Sequence, residues 1–265
     1  MKIGKTTQVQ SAICTSNEDS ITVRGADLCG ELIGHIGFSD YFHLLLTGER
    51  PSPAASRVLE ATLVAITEHG LVPSVQAARM TLAAAPDAMQ GAVAAGILGC
   101  GSVILGASET AGRLFVEIDK LAGPDGDIAA AARTVVTALR ERGQAVPGYG
   151  HPQHKARDPR VDRLFTVSRE AGGGQRFVQI AEAVEAVLPG ITGRDLRLNV
   201  SAAIPAVLLG VGFPVGALRG VPILARTAGL IAHLAEEQHE PIGFALSYNA
   251  TREQLYTGAP VKGSA

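Results

Sequence analysis

Residues 146–163, VPGYGHPQHKARDPRVDR, decide how the rest of this chain is read. His151, His154 and the cations Lys155, Arg157, Arg160 and Arg163 follow a Pro-Gly-Tyr-Gly turn, in a sequence that is otherwise rich in alanine and only 18% charged. A loop so dense in glycine and positive charge, set between two helical patterns, is suited to meeting an anion rather than filling a core.

Working outward, 265 residues and 27.4 kDa are enough to bury a large core. A formal charge of -2 and a pI near 6.4 leave no basic field, so nucleic acid is not an expected partner. Cys14, Cys29 and Cys100 are few and lack CxxC or metal-ligand spacing, which suits a reducing compartment, the cytoplasm, with the cysteines as buried small hydrophobes. The first ten residues lack the apolar run of a signal peptide and are polar enough to begin a soluble protein. Two uncharged stretches, 91–108 and 198–218, raise the question of a membrane span. Asn199, Ser201, Pro205 and several glycines in the second, and the scarcity of bulky side chains in the first, point instead to buried helices in a helical domain or at a subunit interface. No membrane is expected, and a homodimer or higher homo-oligomer is.

In chain order, alternation over 8–13 and 20–23 around the turn-prone 16–19 predicts a β-hairpin. Helix is expected from there on: from Ser39-Asp40 to Leu46 with Gly48 as its stop, then over 51–68, 74–84, 87–121 with a glycine-rich middle, 128–142, 160–171, 177–188, 199–209 and 222–237, ending in a polar tail through Tyr256. No βαβ rhythm is present. The class is therefore all-α with a small N-terminal β-hairpin.

His69 falls at a helix end before Gly70, where helix carbonyls favour its cationic form and make it a candidate carboxylate partner. Gly99, Gly101 and Gly106 lack the strand and the spacing of a dinucleotide loop and read as helix packing. His151 and His154 form an HxxH without a third ligand, so no metal is expected. Ser201 lacks the glycine-flanked elbow of a nucleophile and reads as a helix-start serine.

With these residues in place, 146–160 resembles the signature loop of the citrate synthase superfamily. Glu68-His69-Gly70 resembles that family's DHG segment, Arg226-Thr227-Ala228-Gly229 with Ala232-His233 its RTxGxxAH helix, and Gln254-Leu255-Tyr256-Thr257-Gly258 its C-terminal QLYTG. Arg24-Gly25 and the segment around Thr47-Gly48 are similar to its N-terminal region. The chain's length is closer to the short citryl-CoA lyase branch and to the lyase module of ATP citrate lyase.

The resemblance implies a citrate synthase-like fold with a large helical domain (1–110 and 216–265) and a smaller CoA-binding one (111–215), active as a tight dimer with its site in the cleft. It implies that Val146, Pro147, Gly148, Tyr149 and Gly150 hold the adenine of coenzyme A, with Lys155 near its phosphates. His69, His151, Arg160 and Arg226 would bind the dicarboxylate, oxaloacetate, and His151 would also handle the proton on its reacting oxygen. Planar guanidinium forks suit that role because they pair carboxylates bidentately.

Departures from the family matter as much. Ser201 stands where an aspartate serves the α-carbon, and Ile104 where a histidine helps the enolate oxygen. Losing a positioned general acid or base costs about 10²- to 10⁴-fold. Glu109, a helical turn past Ile104, is the candidate replacement, against a structural role for it. Thr251 aligns with an arginine that family members lend to the neighbouring subunit, with Arg252 one position on. The expected activity is a citryl-CoA lyase-like cleavage giving acetyl-CoA and oxaloacetate, with acyl-CoA and a dicarboxylate as its small-molecule partners. The alternatives are a different acyl-CoA substrate or a CoA- and dicarboxylate-binding pseudoenzyme.

Overall fold

The computed structural model describes residues 10–102, 105–150 and 157–258. Its first feature is a three-stranded antiparallel sheet in the order β1 (Cys14–Ser16), β2 (Ile21–Val23), β3 (Ala26–Asp27). Asn17 closes the first turn, its side-chain oxygen accepting from the Asp19 and Ser20 N–H groups at 2.9 and 2.8 Å. The hairpin is therefore where the alternation places it, with Cys14–Ser16 as its first strand and 10–13 outside it; positions 8 and 9 lie outside the described residues. A third strand also follows where helix was expected. Its cause is Arg24-Gly25, both at positive φ (49° and 87°), which gives the two-residue turn that matches strand twist. Arg24 then donates from Nε and Nη2 to the Leu45 carbonyl, tying the sheet to the first helix. Val23, Leu32 and Leu44 form the small core beneath it.

Among the described residues everything else regular is helical, including a short π-helical turn at Leu28–Leu32 and a 3-10 turn at Val215–Ala217. The helices are α1 (Phe38–Thr47), α2 (Pro53–Thr67), α3 (Pro73–Ala84), α4 (Met89–Leu98), α5 (Gly106–Ala122), α6 (Ile128–Glu141), α7 (Pro159–Glu170), α8 (Arg176–Thr192), α9 (Val200–Gly210), α10 (Gly220–Glu237) and α11 (Gly243–Arg252). Gly48 ends α1 in the left-handed conformation, φ 84°, as a C-terminal glycine should.

Three expectations need correction. The single stretch foreseen over 87–121 is two helices, broken between Leu98 and Gly106 where Leu105 takes φ 63°. The polar tail contains α11, which no local signal marked. Cys100 is buried as expected, but Cys14 and Cys29 are exposed, because one lies on an outer strand and the other in the turn after β3.

Of the two uncharged stretches, the second gives α9, buried from Ala202 through Leu208, a core helix in the full sense. The first gives α4, which buries Ala92 and Gly96 but exposes Leu98. Val215–Glu237 is long and apolar enough to cross a membrane by length and composition alone. Its buried Ala225, Arg226, Leu230 and Leu234 are the pattern of a core helix.

By internal packing the chain separates into two compact units. One is Met1–Ala65 with Ala107–Val221, where α8 packs on α6 and α9, and α7 on α9. The other is Ile66–Gly106 with Pro222–Ala265, built on Val75, Ala78 and Leu82 of α3, Ala92 of α4, and Leu230 and Leu234 of α10. Residues 1–65 thus pack with the middle of the chain, a division by contacts rather than by ligand.

Candidate active site

In the first unit, the strap Val146-Pro147-Gly148-Tyr149-Gly150 is fastened to α8 and to the start of α9. The Tyr149 hydroxyl donates to the Ala181 carbonyl at 2.8 Å, and Gly150 N–H donates to the Arg197 carbonyl at 2.7 Å. Asn199 donates from its backbone to Gly148 O (3.0 Å) and from its amide to Gly150 O (2.6 Å). Burial first, and then the Glu185 carboxylate, push the Tyr149 phenol well above its ordinary range, so it stays a neutral donor. Gly148 sits at φ 86°, and a Cβ there would lie 2.5 Å from the Ala202 methyl. Only glycine lets the strap lie this close to α9. The result is a backbone strap held by hydrogen bonds at Gly148, Tyr149 and Gly150, with Pro147 and Gly150 still partly exposed. His151, His154 and Lys155 lie outside the described residues, as does position 104.

Arg160 opens α7, and its position is set by Asp158. That residue caps the helix by accepting the Arg160 N–H at 3.0 Å, and it also grips the guanidinium, Nε at 3.0 Å and Nη2 at 2.8 Å. Its second oxygen accepts the Val200 N–H at 3.3 Å, so one carboxylate, 1% exposed, joins the starts of α7 and α9. Burial pushes this carboxyl up. Hydrogen bonds from Arg160, the Arg160 charge and the Val200 N–H outweigh it, holding the group below its ordinary 3.8. Arg160 also borders an open cavity of about 1240 Å³ with Phe38, Arg57, Val64 and Arg163.

Ser201 is in the first turn of α9, where Asn199 caps the helix by accepting the Ser201 N–H at 2.9 Å. The acid bonded to this helix start is Asp158, committed to Arg160. Glu109, in the first turn of α5, accepts from Arg113 Nε and Nη2 at 3.2 and 2.8 Å, with Arg219 Nη1 4.0 Å away. Among the described residues no hydrogen bond joins Glu109 to Ser201.

The second unit holds His69 and Arg226. Glu68 ends the α2 segment by accepting the His69 N–H at 2.9 Å and the Gly70 N–H at 2.5 Å, and its other oxygen lies 3.0 Å from His233 Nε2. Burial pushes the Glu68 carboxyl up, but the His233 hydrogen bond, the Gly70 and His69 N–H groups and the charge of His233 together lower it. Arg226, 3% exposed on α10, donates only Nη2 to the Ile66 carbonyl at 3.4 Å. Its Nε and Nη1 are buried without a hydrogen-bond partner among the described residues. A buried fork with two unspent donors is costly without an anion and well formed for one. Thr251 and Arg252 lie at the end of α11, Arg252 beside Glu253 at 3.6 Å and exposed.

Sequence reasoning named the arginines but missed the acids that position them. Asp158 was legible, since Asp-Pro is the signature of a cap followed by the first helical residue. The Glu68–His233 pair had no local signal. Among the described residues no cluster of three His, Cys, Asp or Glu could hold a metal ion.

The profile of the citrate synthase C-terminal domain matches residues 35–243. The citryl-CoA lyase from Hydrogenobacter thermophilus superposes with a TM-score of 0.84 at 31% identity, covering 97% of both chains. An ATP citrate lyase from Methanosaeta concilii, in complex with (3S)-citryl-CoA, shares the fold with a TM-score of 0.76 at 21% identity, over 98% of this chain and 43% of that one. Citrate synthase from Haloferax volcanii is 27% identical over 202 residues, 75% of this chain and 51% of the relative. This chain thus matches about half the length of that curated relative.

Proposed function

The chain belongs to the citrate synthase family, and from that premise we propose that it is a citryl-CoA lyase-like carbon–carbon lyase, cleaving citryl-CoA to acetyl-CoA and oxaloacetate. The observation that carries the reading is the likeness to a citryl-CoA lyase, with a TM-score of 0.84 at 31% identity. In this scheme the tertiary hydroxyl loses its proton to His151, and the electron pair of the breaking carbon–carbon bond moves to the α-carbon as an acetyl-CoA enolate. The hydroxyl carbon becomes the ketone of oxaloacetate, a carboxylate of which pairs with Arg226, assisted by His69; the resemblance also assigns Arg160 to this ligand. The enolate then takes a proton at carbon. CoA lies on the Val146–Gly150 strap with Lys155 near its phosphates. Two unspent donors on buried Arg226 support the anion site.

A second reading is favoured by one feature: Ser201 is a helix-start residue, and among the described residues no hydrogen bond joins its hydroxyl to a carboxylate. That fits a different acyl-CoA substrate, or a protein that binds CoA and dicarboxylate without turnover. We place the protein in the cytoplasm, which the exposed thiols Cys14 and Cys29 suit. We also infer a homodimer, supported by exposed Phe38, Val64, Phe244 and Tyr248.

The deciding assay supplies citryl-CoA and follows oxaloacetate with malate dehydrogenase and NADH. Turnover on the order of 1 to 10³ per second is the expected result. Absence of turnover with CoA binding intact would remove the lyase reading and leave the second.

A further inference from the structure

Within the unit of Ile66–Gly106 and Pro222–Ala265, the end of α2 meets α10 at three successive levels. Arg226 Nη2 reaches the Ile66 carbonyl, a Cβ on Gly229 would collide with the Thr67 carbonyl, and His233 Nε2 is 3.0 Å from Glu68. Positions 226, 229 and 233 are three and four apart, so they share one face of α10. The other Glu68 oxygen holds the His69 and Gly70 N–H groups where the chain turns at Gly70, φ 72°. One carboxylate therefore fixes both the backbone that carries His69 and the helix that carries Arg226. Its partner's tautomer follows: the His233 proton belongs on Nε2, facing the carboxylate.

We propose that Glu68 and His233 are a positioning pair for the dicarboxylate site, setting the aim of Arg226 and His69 without touching the ligand. The proposal rests on the reading of those two residues as dicarboxylate-binding. Glu68 is itself about half exposed, so its worth lies in geometry rather than in folding energy. Bidentate pairing tolerates little error, and a misplacement of about 1 Å can cost about 10²-fold.

The test titrates the full chain calorimetrically with oxaloacetate, with citrate and separately with CoA, using Arg226→Ala, Glu68→Ala, Glu68→Gln, His233→Ala and the Glu68→Ala/His233→Ala double variant. Glu68→Ala and His233→Ala should each weaken dicarboxylate binding about tenfold and leave CoA binding unchanged. The double variant should be no worse than either single, because the two act as a unit, and Glu68→Gln should recover part of the loss. If Arg226→Ala abolishes dicarboxylate binding while Glu68→Gln and His233→Ala leave it untouched, the pair is structural and the proposal falls. It falls equally if the two losses add, or if CoA binding drops in step. If Arg226→Ala has no effect either, the dicarboxylate reading fails first and takes the proposal with it.

Discussion

Asp158 shows how much one buried acid does in this protein. It caps α7, holds the Arg160 fork on one edge and accepts the first N–H of α9. Replacing it by Asn keeps the shape but removes the charge opposite Arg160. Removing one partner of a buried pair costs about 3–5 kcal/mol, and the partial exposure of Arg160 places Asp158→Asn at or below the lower end, about 2–3 kcal/mol. Urea denaturation measures that loss directly. At Ser201 the expectation concerns chemistry rather than stability. If the lyase reading holds, Ser201→Asp should raise turnover in the citryl-CoA assay by restoring a carboxylate where the family carries one. An unchanged rate in a folded variant would show that position 201 does not face the α-carbon.

Among the elements, the strap 146–150 and helix α9 behave as one piece, since Asn199 both caps α9 and holds the carbonyls of Gly148 and Gly150. Loss of a helix cap costs about 1 kcal/mol. Asn199→Ala should cost at least that and also weaken CoA binding, because the strap loses the side-chain amide bond to the Gly150 carbonyl while keeping the backbone bond at Gly148. Gly148→Ala is the harsher change: it combines a left-handed φ with a clash against Ala202, a mechanism worth about 1–3 kcal/mol. CoA affinity by calorimetry, read beside the melting temperature, separates loss of the strap from loss of the fold. α11 is held in a comparable way. Glu237 accepts the Ile242 and Gly243 N–H groups at the start of that helix while pairing with buried Arg79.

For the whole molecule, these buried acids set the response to pH. In the folded chain the carboxyls of Asp158 and Glu237 are held below their ordinary values of 3.8 and 4.5. For Glu237, burial pushes upward but is outweighed by the Ile242 and Gly243 N–H groups and by Arg79. Between the native and ordinary values the unfolded chain binds more protons than the folded one, so stability falls as pH falls. Thermal melts should therefore be flat near neutrality and decline below about pH 5, and Glu237→Gln should be less stable at pH 7 but lose less on acidification. Sequence alone determined the helical class, most helix positions, the hairpin turn and the residues of the ligand loop, because glycine, proline and caps act on the chain within a few residues. It also carried the family resemblance, since Gly148, Arg160 and Arg226 sit in motifs that can be read in line. What only the tertiary structure decided are the partnerships across long stretches of chain: Asp158 with Val200, Glu68 with His233, and Arg79 with Glu237. α11 was illegible for this reason. Its exposed face and absent local cap gave no signal, and its start is secured by a carboxylate from α10 that is in turn held by an arginine from α3. Such pairs depend on distance in space, which periodicity along the chain does not encode.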